Sequence, residues 1–302
     1  MGDLGSAADN YVLGRSDAET QRLILQNQIY GPFTRRFLAA AGITAGMKVL
    51  DLGSGAGDVA LLLAELVGPQ GRVMGIDTNT DVLDTARRRV QATGWTTVVF
   101  QQGDIQRLEL DDDFDAVVGR WVLMYQQDPV DLLRKTRSYL GPGGIVAFQE
   151  SDLSNPPRPY PPAQLHDQVR RWTTPPPGAP GPDIETGLKL FRTFQKAGLP
   201  APQLCLDAPI GGGSDWPGYA YLAGTVRSLL PFLQQVGAVT AEEVDIETLE
   251  ERLRAEVVGQ GGIQILPALI GAWVASDREP SGRSQMHSLN CFLQGGSTSS
   301  AT

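Results

Sequence analysis

Three glycines and two aspartates stand at regular spacing in the first third of this 302-residue chain. Asp51 is followed at alternate positions by Gly53, Gly55 and Gly57, and Asp77 comes 20 residues after the last glycine. Glycines allow close approach of backbone to ligand, and the first N–H groups of a helix favour a negative or zwitterionic group. An acid at the tip of a following strand can accept both ribose hydroxyls. The spacing therefore predicts a nucleoside site.

The segments around these residues must hold them in place, and their periodicity indicates how. Residues 48–52 form a β-branched and leucine-rich run that predicts a strand, and the apolar spacing that begins at Asp58 predicts a helix. Residues 72–76 predict a second strand that ends at Asp77. The order is therefore strand, glycine turn, helix and strand.

The position after the third glycine helps to decide which nucleoside is bound. The dinucleotide-binding pattern G-x-G-x-x-G would need a glycine at position 58, where this chain has Asp58. A buried carboxylate such as Asp51 would repel a pyrophosphate, whereas it suits a ligand that carries an ammonium group. The motif D-x-G-x-G-x-G, Asp51 to Gly57, resembles the first motif of class I S-adenosylmethionine-dependent methyltransferases.

Later segments extend this resemblance over about residues 20–276. A strand predicted at 98–102 runs into Gly103, Asp104 and Ile105, and 114–119 predicts a fourth strand. Other features of the same kind are a helix from Asp128-Pro129 to Leu140, the turn Leu140-Gly141-Pro142-Gly143-Gly144, and a fifth strand at 145–150. The resemblance implies a Rossmann-like, doubly wound α/β fold with a mostly parallel seven-stranded sheet, N-terminal helices and a helical lid insertion.

The resemblance also implies a cofactor, S-adenosyl-L-methionine, with S-adenosyl-L-homocysteine as its product, and it implies where this cofactor lies. Asp51 and the glycine turn would hold the methionine end, Asp77 the ribose, and Asp104 and Ile105 the adenine. Arg120 and Trp121 would form the far wall. The predicted cofactor-binding residues are Gln26, Asp51, Gly53, Ser54, Gly55, Asp77, Thr78, Gly103, Asp104, Ile105, Arg120 and Trp121.

Composition limits the compartments and partners that we expect. The net charge is −9 with two cysteines, and neither a basic, apolar leader nor an apolar run of membrane-spanning length is present. We expect a cytoplasmic monomer or homodimer that acts on a small-molecule methyl acceptor in secondary metabolism, with no nucleic acid, membrane or metal ion as partner. Nucleic-acid binders usually have a basic face.

The rest of the chain predicts elements that cover the site. We expect one methyltransferase domain at 16–276, with its cofactor-binding core at 43–150, between a flexible start (1–15) and a disordered tail (277–302). The lid and substrate elements are predicted at 16–42, 151–182 and 211–262. In the first of these, a helix begins near Asp17 and runs toward Ile29, and Gly31-Pro32 separates it from a second helix, Phe33 to Ala41. A helix is predicted from Asp183 to Ala197, and a sixth and a seventh strand at Gln203 to Ala208 and Gln264 to Val274.

Two residues are predicted to be catalytic. Glu150 ends the fifth strand, beside the expected methyl group, and partial burial would raise its pKa toward that of a base; a salt bridge to Arg170 or Arg171 is the structural alternative. His166 lies in the predicted lid, where a surface position is its alternative. Seven aromatic residues are predicted together to line the pocket of an apolar or aromatic acceptor, and a place in the core is the alternative for each of them: Trp121, Tyr125, Phe148, Tyr160, Trp172, Trp216 and Tyr219.

Two other functions share part of this pattern. A nicotinamide-dependent oxidoreductase would also have a strand, a glycine turn and a later acid. A protein that keeps the fold and binds the cofactor without transferring a methyl group would retain the acids at positions 51, 77 and 104. Cofactor-specific stabilisation separates the first alternative from methyl transfer, and release of S-adenosylhomocysteine separates the second.

Overall fold

The computed structural model describes residues 17–110, 113–155, 158–174 and 181–275. A seven-stranded sheet in the order β3-β2-β1-β4-β5-β10-β7 forms the centre of this part. Its strands are β1 (Lys48–Leu52), β2 (Arg72–Asp77), β3 (Val98–Gln102), β4 (Phe114–Arg120), β5 (Leu140–Ser151), β7 (Gln203–Asp207) and β10 (Leu269–Ala275). The first five pair in parallel, and β10 runs antiparallel to both β5 and β7.

Helices and short strands connect and cover this sheet. The helices are α1 (Asp17–Ala40), α2 (Asp58–Val67), α3 (Thr80–Thr93), α4 (Pro129–Thr136), α5 (Gln164–Thr173), α6 (Thr186–Lys196), α7 (Gly218–Gln235), α8 (Ala241–Val244) and α9 (Leu249–Val258). The strands β6 (Arg158–Tyr160), β8 (Ile210–Gly212) and β9 (Ile263–Ile265) form a second sheet in the order β6-β9-β8. The α/β class and the mostly parallel seven-stranded sheet are thus confirmed.

The apolar core lies on both sides of the central sheet. One cluster packs α4 and α6 against strands β1, β4 and β5, and another packs α1 and α2 against the opposite face. Burying a side chain such as Leu50 or Phe148 contributes about 1.5–3 kcal/mol relative to leaving it exposed, so these layers hold the strand ends firmly in register.

Four predicted boundaries are wrong. α1 continues through Pro32, because the helix on both sides of it is packed: Tyr30 is 1% and Phe37 2% exposed. That burial offsets the usual cost of an interior proline, about 3 kcal/mol. The segment 140–144 is a bulged start of β5 rather than a separate turn. The helix predicted from Asp183 begins at Thr186, and α4 ends at Thr136, followed by a 3-10 turn.

The predicted seventh strand is two strands. Residues 263–265 pair with β6 and β8 in the small sheet, and only 269–275 enter the central sheet. The region predicted as a helical lid is therefore helical in part, and the small sheet joins its segments. The predicted helix around Ala163 to Trp172 is present as α5. Ser16 of the predicted helix start, the start at 1–15 and the tail at 277–302 lie outside the described residues.

Candidate functional site

The carboxyl ends of β1, β2 and β3 place three acids along one edge of the sheet. In the parallel register Asp51 lies opposite Gly75, and Asp77 lies opposite Gln102. The backbone N–H of Gly103 donates to the carbonyl of Asp77 at 3.0 Å, which fixes the turn that carries Asp104 beside the end of β2. The edge is where open α/β sheets bind ligands.

The glycine turn between β1 and α2 depends on backbone angles that favour glycine. Gly53, Gly55 and Gly57 have φ values of 64°, 51° and 83°, in the left-handed region that glycine adopts without strain. A Cβ at Gly53 would lie 2.7 Å from Cγ2 of Val122, and one at Gly75, on the neighbouring strand, would lie 2.6 Å from the ring of Phe100. At these glycines the backbone is therefore bare, which allows a ligand to approach it closely.

Asp77 joins this turn to the end of β2. Its Oδ2 accepts a hydrogen bond from the N–H of Gly55 at 2.9 Å, and its Oδ1 accepts one from the N–H of Asn79 at 2.9 Å. Thr78 is exposed, and its carbonyl accepts from the side chain of Gln102 at 3.1 Å. The predicted ribose acid is therefore held at the mouth of the crevice.

Asp51 is a buried carboxylate in need of a cation. It is 1% exposed, and neither carboxylate oxygen has a well-formed hydrogen bond within the described part of the chain. Burial raises its pKa to about 8; Arg120 opposes this shift, whereas Asp77 and Asp58 add to it. The nearby hydroxyl of Ser54 is also buried and unpartnered. These orphaned polar atoms beside bare backbone fit a ligand that brings a positive group.

The third turn has a partly exposed acid next to a buried apolar side chain. Oδ1 of Asp104 accepts from the N–H of Gln106 at 2.9 Å, and Oδ2 lies 3.6 Å from Nε of Arg107. Ile105 is 7% exposed. An acid beside an apolar surface is the combination expected for an adenine ring and its amino group.

Arg120 lies under the crevice and connects three elements. Its guanidinium donates to Oδ1 of Asn27 at 3.3 Å and to Oγ1 of Thr34 at 3.0 Å, both on α1, and Nη2 lies 3.9 Å from Oδ2 of Asp58 at the start of α2. Burial lowers its pKa, and the neighbouring Asp58 and Asp51 oppose that shift. Arg120 therefore balances the negative charge of Asp58 and Asp51 where β4, α1 and α2 meet.

Trp121 has an uncommon backbone conformation, with φ of 57°. Its indole N–H donates to Oγ of Ser151 at 2.6 Å, and its ring packs against the Arg120 guanidinium at 4.6 Å and edge-on to Tyr30 at 5.3 Å. Strained positions of this kind concentrate at functional sites. The ring thus packs between the end of β4 and α1.

Glu150 is fully buried and holds the turn that follows β4. Its Oε1 accepts from the N–H groups of Val122 at 2.9 Å and Leu123 at 2.7 Å, while Oε2 has no partner within the described residues. Burial raises its pKa to about 8, against the effect of those N–H groups. Among the described residues no ion pair joins Glu150 to Arg170 or Arg171, and Nε of Arg170 lies 3.6 Å from Oδ1 of Asp167.

The structure does not place His166 as a free base in the crevice. Its side chain is fully buried between α5, α9 and β9. There Nδ1 lies 3.0 Å from Oε2 of Glu256, and Nε2 lies 3.0 Å from Nε2 of Gln264. Burial lowers the pKa of His166, although Glu256 opposes this. Both ring nitrogens are thus occupied, and the geometry gives no support to direct proton transfer.

Gln26 lies on the face of α1 that meets α7. It is 7% exposed, and its Oε1 accepts from Arg22 at 2.7 Å and, at 3.5 Å, from the Tyr221 hydroxyl. The surrounding apolar residues form what we call the junction cluster, because α1, α7, the turn after β4 and the segment before β10 meet there. Its members are Leu25, Ile29, Tyr30, Phe33, Trp121, Trp216, Tyr221, Leu266 and Leu269.

The structure brings some of the predicted lining aromatics together and places others apart. Phe148 and Tyr219 are 0% exposed and belong to the packed core, and Tyr160 is 70% exposed on the small sheet. Trp121 and Trp216 meet in the junction cluster, with Tyr30 and Tyr221, which the sequence did not single out for this role. Tyr30 follows Gln26 by one helical turn, a spacing that could have indicated it.

Sequence reasoning also missed the polar network beneath α1. The hydroxyl of Thr34 donates to Oε1 of Gln149 at 2.8 Å and accepts from Arg120, and all three side chains are buried. Thr34 and Gln149 stand 115 residues apart in the chain, and no local pattern connects them.

The described residues contain neither a group of side chains arranged for a metal ion nor a membrane-spanning helix. No group of three or more histidine, cysteine, aspartate or glutamate side chains there is arranged to hold a metal ion. No helix there is long and apolar enough to cross a membrane.

Comparison with known proteins places this geometry in a family. Residues 43–198 match a family described as "Methyltransferase domain". An arsenite methyltransferase of Aquipseudomonas alcaligenes is 33% identical over 159 residues, 49% of this chain and 44% of that protein. A 2-phytyl-1,4-naphtoquinone methyltransferase of Synechococcus elongatus is 35% identical over 135 residues, 43% of this chain and 56% of that protein. The chain thus spans about half the length of these curated relatives.

A solved structure supports the fold over a larger part of the chain. A protein of Bacillus halodurans C-125 superposes with a TM-score of 0.51 at 17% identity, covering 82% of this chain and all of that one. At this identity the likeness concerns the architecture alone.

Proposed function

The chain belongs to the class I S-adenosylmethionine-dependent methyltransferase family, and from that premise we propose that it transfers the methyl group of S-adenosylmethionine to a small apolar or aromatic metabolite. The acceptor atom attacks the methyl carbon in line with the sulfur. As the new bond forms, the carbon–sulfur bond breaks and its electron pair stays on sulfur, which leaves as neutral S-adenosylhomocysteine. The acceptor's proton, where it has one to lose, passes to a base or to water.

One observation carries the proposal: the buried carboxylate of Asp51, which has no well-formed hydrogen bond within the described residues, lies beside three glycines in the left-handed region. S-adenosylmethionine carries an ammonium group, which would supply the missing positive partner. A dinucleotide would instead place a pyrophosphate on the glycines, next to that acid. The repulsion disfavours a nicotinamide cofactor.

The remaining assignments follow the order of the strands. Asp77 would accept the ribose hydroxyls, since it ends β2 beside the glycine turn, to which its carboxylate is joined through the N–H of Gly55. The turn of Asp104 and Ile105 would take the adenine. The cofactor supplies an activated methyl group, and the protein supplies alignment, which is worth about 7–11 kcal/mol in well-oriented reactions.

The junction cluster supports an aromatic acceptor. Tyr30, Trp121, Trp216 and Tyr221 bring four rings together where α1 and α7 meet the end of β4. Planar apolar molecules pack well against such rings, with about 0.5–1.5 kcal/mol per pair beyond the burial of area. The net charge of −9 also favours a small molecule over a polyanion.

Arsenite is less well supported as an acceptor. Trivalent arsenic is soft and prefers thiolate ligands, and the chain has two cysteines. Cys205 lies on β7 opposite Gly271 of β10, close to the Phe37 ring of α1. Burial raises the pKa of its thiol.

Glu150 is the proposed base where the acceptor must lose a proton. Its unpartnered Oε2 is dry, and a pKa of about 8 makes it an effective proton acceptor once ionised. The two backbone N–H groups on Oε1 hold the carboxylate in position.

Two measurements test the function. Thermal shift with S-adenosylmethionine and with NAD should show stabilisation by the first alone. Methyl-labelled S-adenosylmethionine should then label 1,4-dihydroxynaphthalene more than arsenite, with equimolar release of S-adenosylhomocysteine. Stabilisation by NAD alone would contradict the proposal. Binding without label transfer to any of a broad acceptor panel would favour a non-methylating protein of the same fold.

A further inference from the structure

A chain of hydrogen bonds connects Glu256, on α9, with Trp216, just before α7. Oε2 of Glu256, on α9, lies 3.0 Å from Nδ1 of His166, on α5. Nε2 of His166 lies 3.0 Å from Nε2 of Gln264, on β9, and Oε1 of that amide lies 2.9 Å from the indole nitrogen of Trp216. His166 is 1% and Gln264 0% exposed, so water does not compete for these bonds.

The direction of every bond in this chain follows from its last member. An indole N–H can only donate, so the amide atom that faces Trp216 must be the oxygen of Gln264. The amide nitrogen then faces His166 and donates to Nε2. The imidazole must therefore be neutral, with its proton on Nδ1, and it donates this proton to Glu256. A proton on Nε2 would set two donors against each other at 3.0 Å.

Two glycines shape the slot that the indole of Trp216 occupies. A Cβ at Gly211 would lie 2.2 Å from Cε3 of the ring, and one at Gly218 would lie 2.2 Å from the indole nitrogen. Neither glycine has a backbone angle in the left-handed region, so space for the ring is the reason that these positions lack a side chain. The plane of the indole is thus set by the slot and its in-plane position by Gln264.

Trp216 also connects the packing of α5, α7 and α9 with the junction cluster, which Tyr221 of α7 joins as well. One part of it packs on the apolar core of α5, α7 and α9, and another part belongs to the junction cluster with Tyr30 and Trp121. Trp121 follows the end of β4, at the edge where the crevice lies. A shift of the indole would therefore change the shape of the proposed acceptor site.

On the basis of the proposed function, we propose that His166 is a positioning residue for the methyl acceptor. Its neutral, Nδ1-protonated imidazole orients Gln264, and Gln264 in turn fixes Trp216 as an aromatic wall of the acceptor site. His166 itself contacts no reacting atom. The class of ligand served by this wall is a planar aromatic molecule.

The proposal fixes the sign of a pH dependence. Within the described chain the charges that act on His166 are Glu256 from α9 and Asp167 from its own helix; both favour the protonated ring, whereas burial disfavours it more strongly and lowers the pKa. Gln264 and Trp216 are neutral. As pH falls through that lowered pKa, Nε2 gains a proton, the bond from Gln264 is lost and Trp216 is released. The stability that the network contributes is present above the ordinary histidine pKa and is lost below the lowered one.

Nuclear magnetic resonance of the full chain tests this directly. The chain has two histidines and five tryptophans, so His287→Asn and Trp216→Phe assign the imidazole and indole signals. At pH 7 the His166 ring should show one protonated nitrogen, Nδ1, and one unprotonated nitrogen, Nε2. On acidification the Trp216 indole N–H signal should move with the same midpoint as His166.

A single substitution, Gln264→Glu, should change the protonation state of His166 that the network favours from neutral to doubly protonated. In its carboxylate form Gln264→Glu offers one oxygen to Trp216 and another to Nε2 of His166, so the carboxylate completes the network with a doubly protonated imidazole. The matched control, Gln235→Glu, adds the same charge at an exposed position at the end of α7. Binding of 1,4-naphthoquinone, followed by quenching of tryptophan fluorescence, should weaken at least threefold below the His166 midpoint in wild type and in the control. In Gln264→Glu this loss should disappear, and both ring nitrogens should be protonated at pH 7.

Each outcome decides the proposal. A His166 ring that is charged or Nε2-protonated at pH 7 in wild type, or a Trp216 signal that ignores the His166 titration, would overturn it even if Gln264→Glu failed to fold. Titration as described with naphthoquinone affinity unaffected would overturn the acceptor role. Calorimetry with S-adenosylhomocysteine separates this from failure of the proposed function, because cofactor binding should be the same in wild type, Gln264→Glu and Gln235→Glu.

Discussion

The backbone N–H of Gly55 donates a 2.9 Å hydrogen bond to Oδ2 of Asp77, which ties the glycine turn after β1 to the acid at the end of β2. The two halves of the proposed cofactor site thus share one hydrogen bond. A ligand that binds Asp77 through its ribose therefore also senses the conformation of the turn.

Replacing Asp77 by alanine should weaken S-adenosylmethionine binding at least tenfold, because the ribose hydroxyls lose a partly buried, charged acceptor; hydrogen bonds to charged groups contribute about 1.5–3 kcal/mol. Isothermal titration calorimetry measures the change. Asp84→Ala is the matched control, since that acid is 58% exposed and pairs only with Arg87 on the surface of α3. Equal affinities for Asp77→Ala and wild type would remove the ribose assignment.

Affinity for S-adenosylmethionine should rise with pH between 6 and 8. The pKa of Asp51 is raised to about 8 in the ligand-free protein, so the carboxyl must lose its proton to pair with the ligand's ammonium group. One proton released per ligand gives a slope of at most about tenfold per pH unit. Calorimetry in buffers of different ionisation enthalpy counts this proton.

Asp51→Asn should bind at least tenfold more weakly at pH 8 and lose that slope. Glu65→Gln, at a side chain that is 52% exposed, should keep both the affinity and the slope. A pH dependence that survives in Asp51→Asn would assign the proton to another group.

Glu150→Gln should separate catalysis from structure. The amide oxygen of glutamine can still accept from Val122 and Leu123, so the turn after β4 keeps its two hydrogen bonds. A general base contributes about 10²–10⁴-fold, so kcat should fall by at least 100-fold with cofactor affinity unchanged. In wild type, kcat should rise toward pH 8 as Glu150 ionises. An unchanged kcat would leave Glu150 with a structural role alone.

The same substitution should alter the pH dependence of stability. Burial raises the pKa of Glu150 in the folded protein to about 8, from an ordinary value of 4.5, so the folded protein binds this proton more tightly than the unfolded chain does. The resulting stabilisation is complete below the unfolded pKa and is lost as pH rises through 8. Thermal unfolding between pH 5 and 8 should therefore show a steeper loss of Tm in wild type than in Glu150→Gln. Parallel curves would contradict the raised pKa.

The sequence predicted the elements whose signals are local. Gly53 to Gly57, the start of α2 at Asp58 and the acid at the end of β2 each depend on neighbours within a few residues, and each prediction is matched by the structure. Asp128 caps α4, as its position before Pro129 indicated. These elements fix the sheet edge and thereby the place of the crevice.

Predictions failed where distant packing decides. An interior proline usually ends or kinks a helix. In α1, however, the burial of Tyr30 and Phe37 offsets the cost of Pro32. The division of 263–275 into β9 and β10 depends on β6 and β8, which pair with β9 across the insertion. The periodicity of one segment does not indicate which distant strand it pairs with.

The site shows the same limit. His166 was predicted from its residue type as a base, and its role depends on Glu256 and Gln264, about 90 and 98 residues away along the chain. The residue types near the strand ends indicated the charge of the ligand. The orientation of side chains such as His166 and Gln264 could not be predicted without the folded structure.

A crystal structure of the chain with S-adenosylhomocysteine tests the central claim most directly. The account predicts that the ligand's amino group lies within hydrogen-bonding distance of Asp51, its ribose hydroxyls at Asp77, and its adenine beside Asp104 and Ile105. A ligand bound elsewhere, or a structure in which NAD sets its pyrophosphate on Gly53 to Gly57, would contradict it.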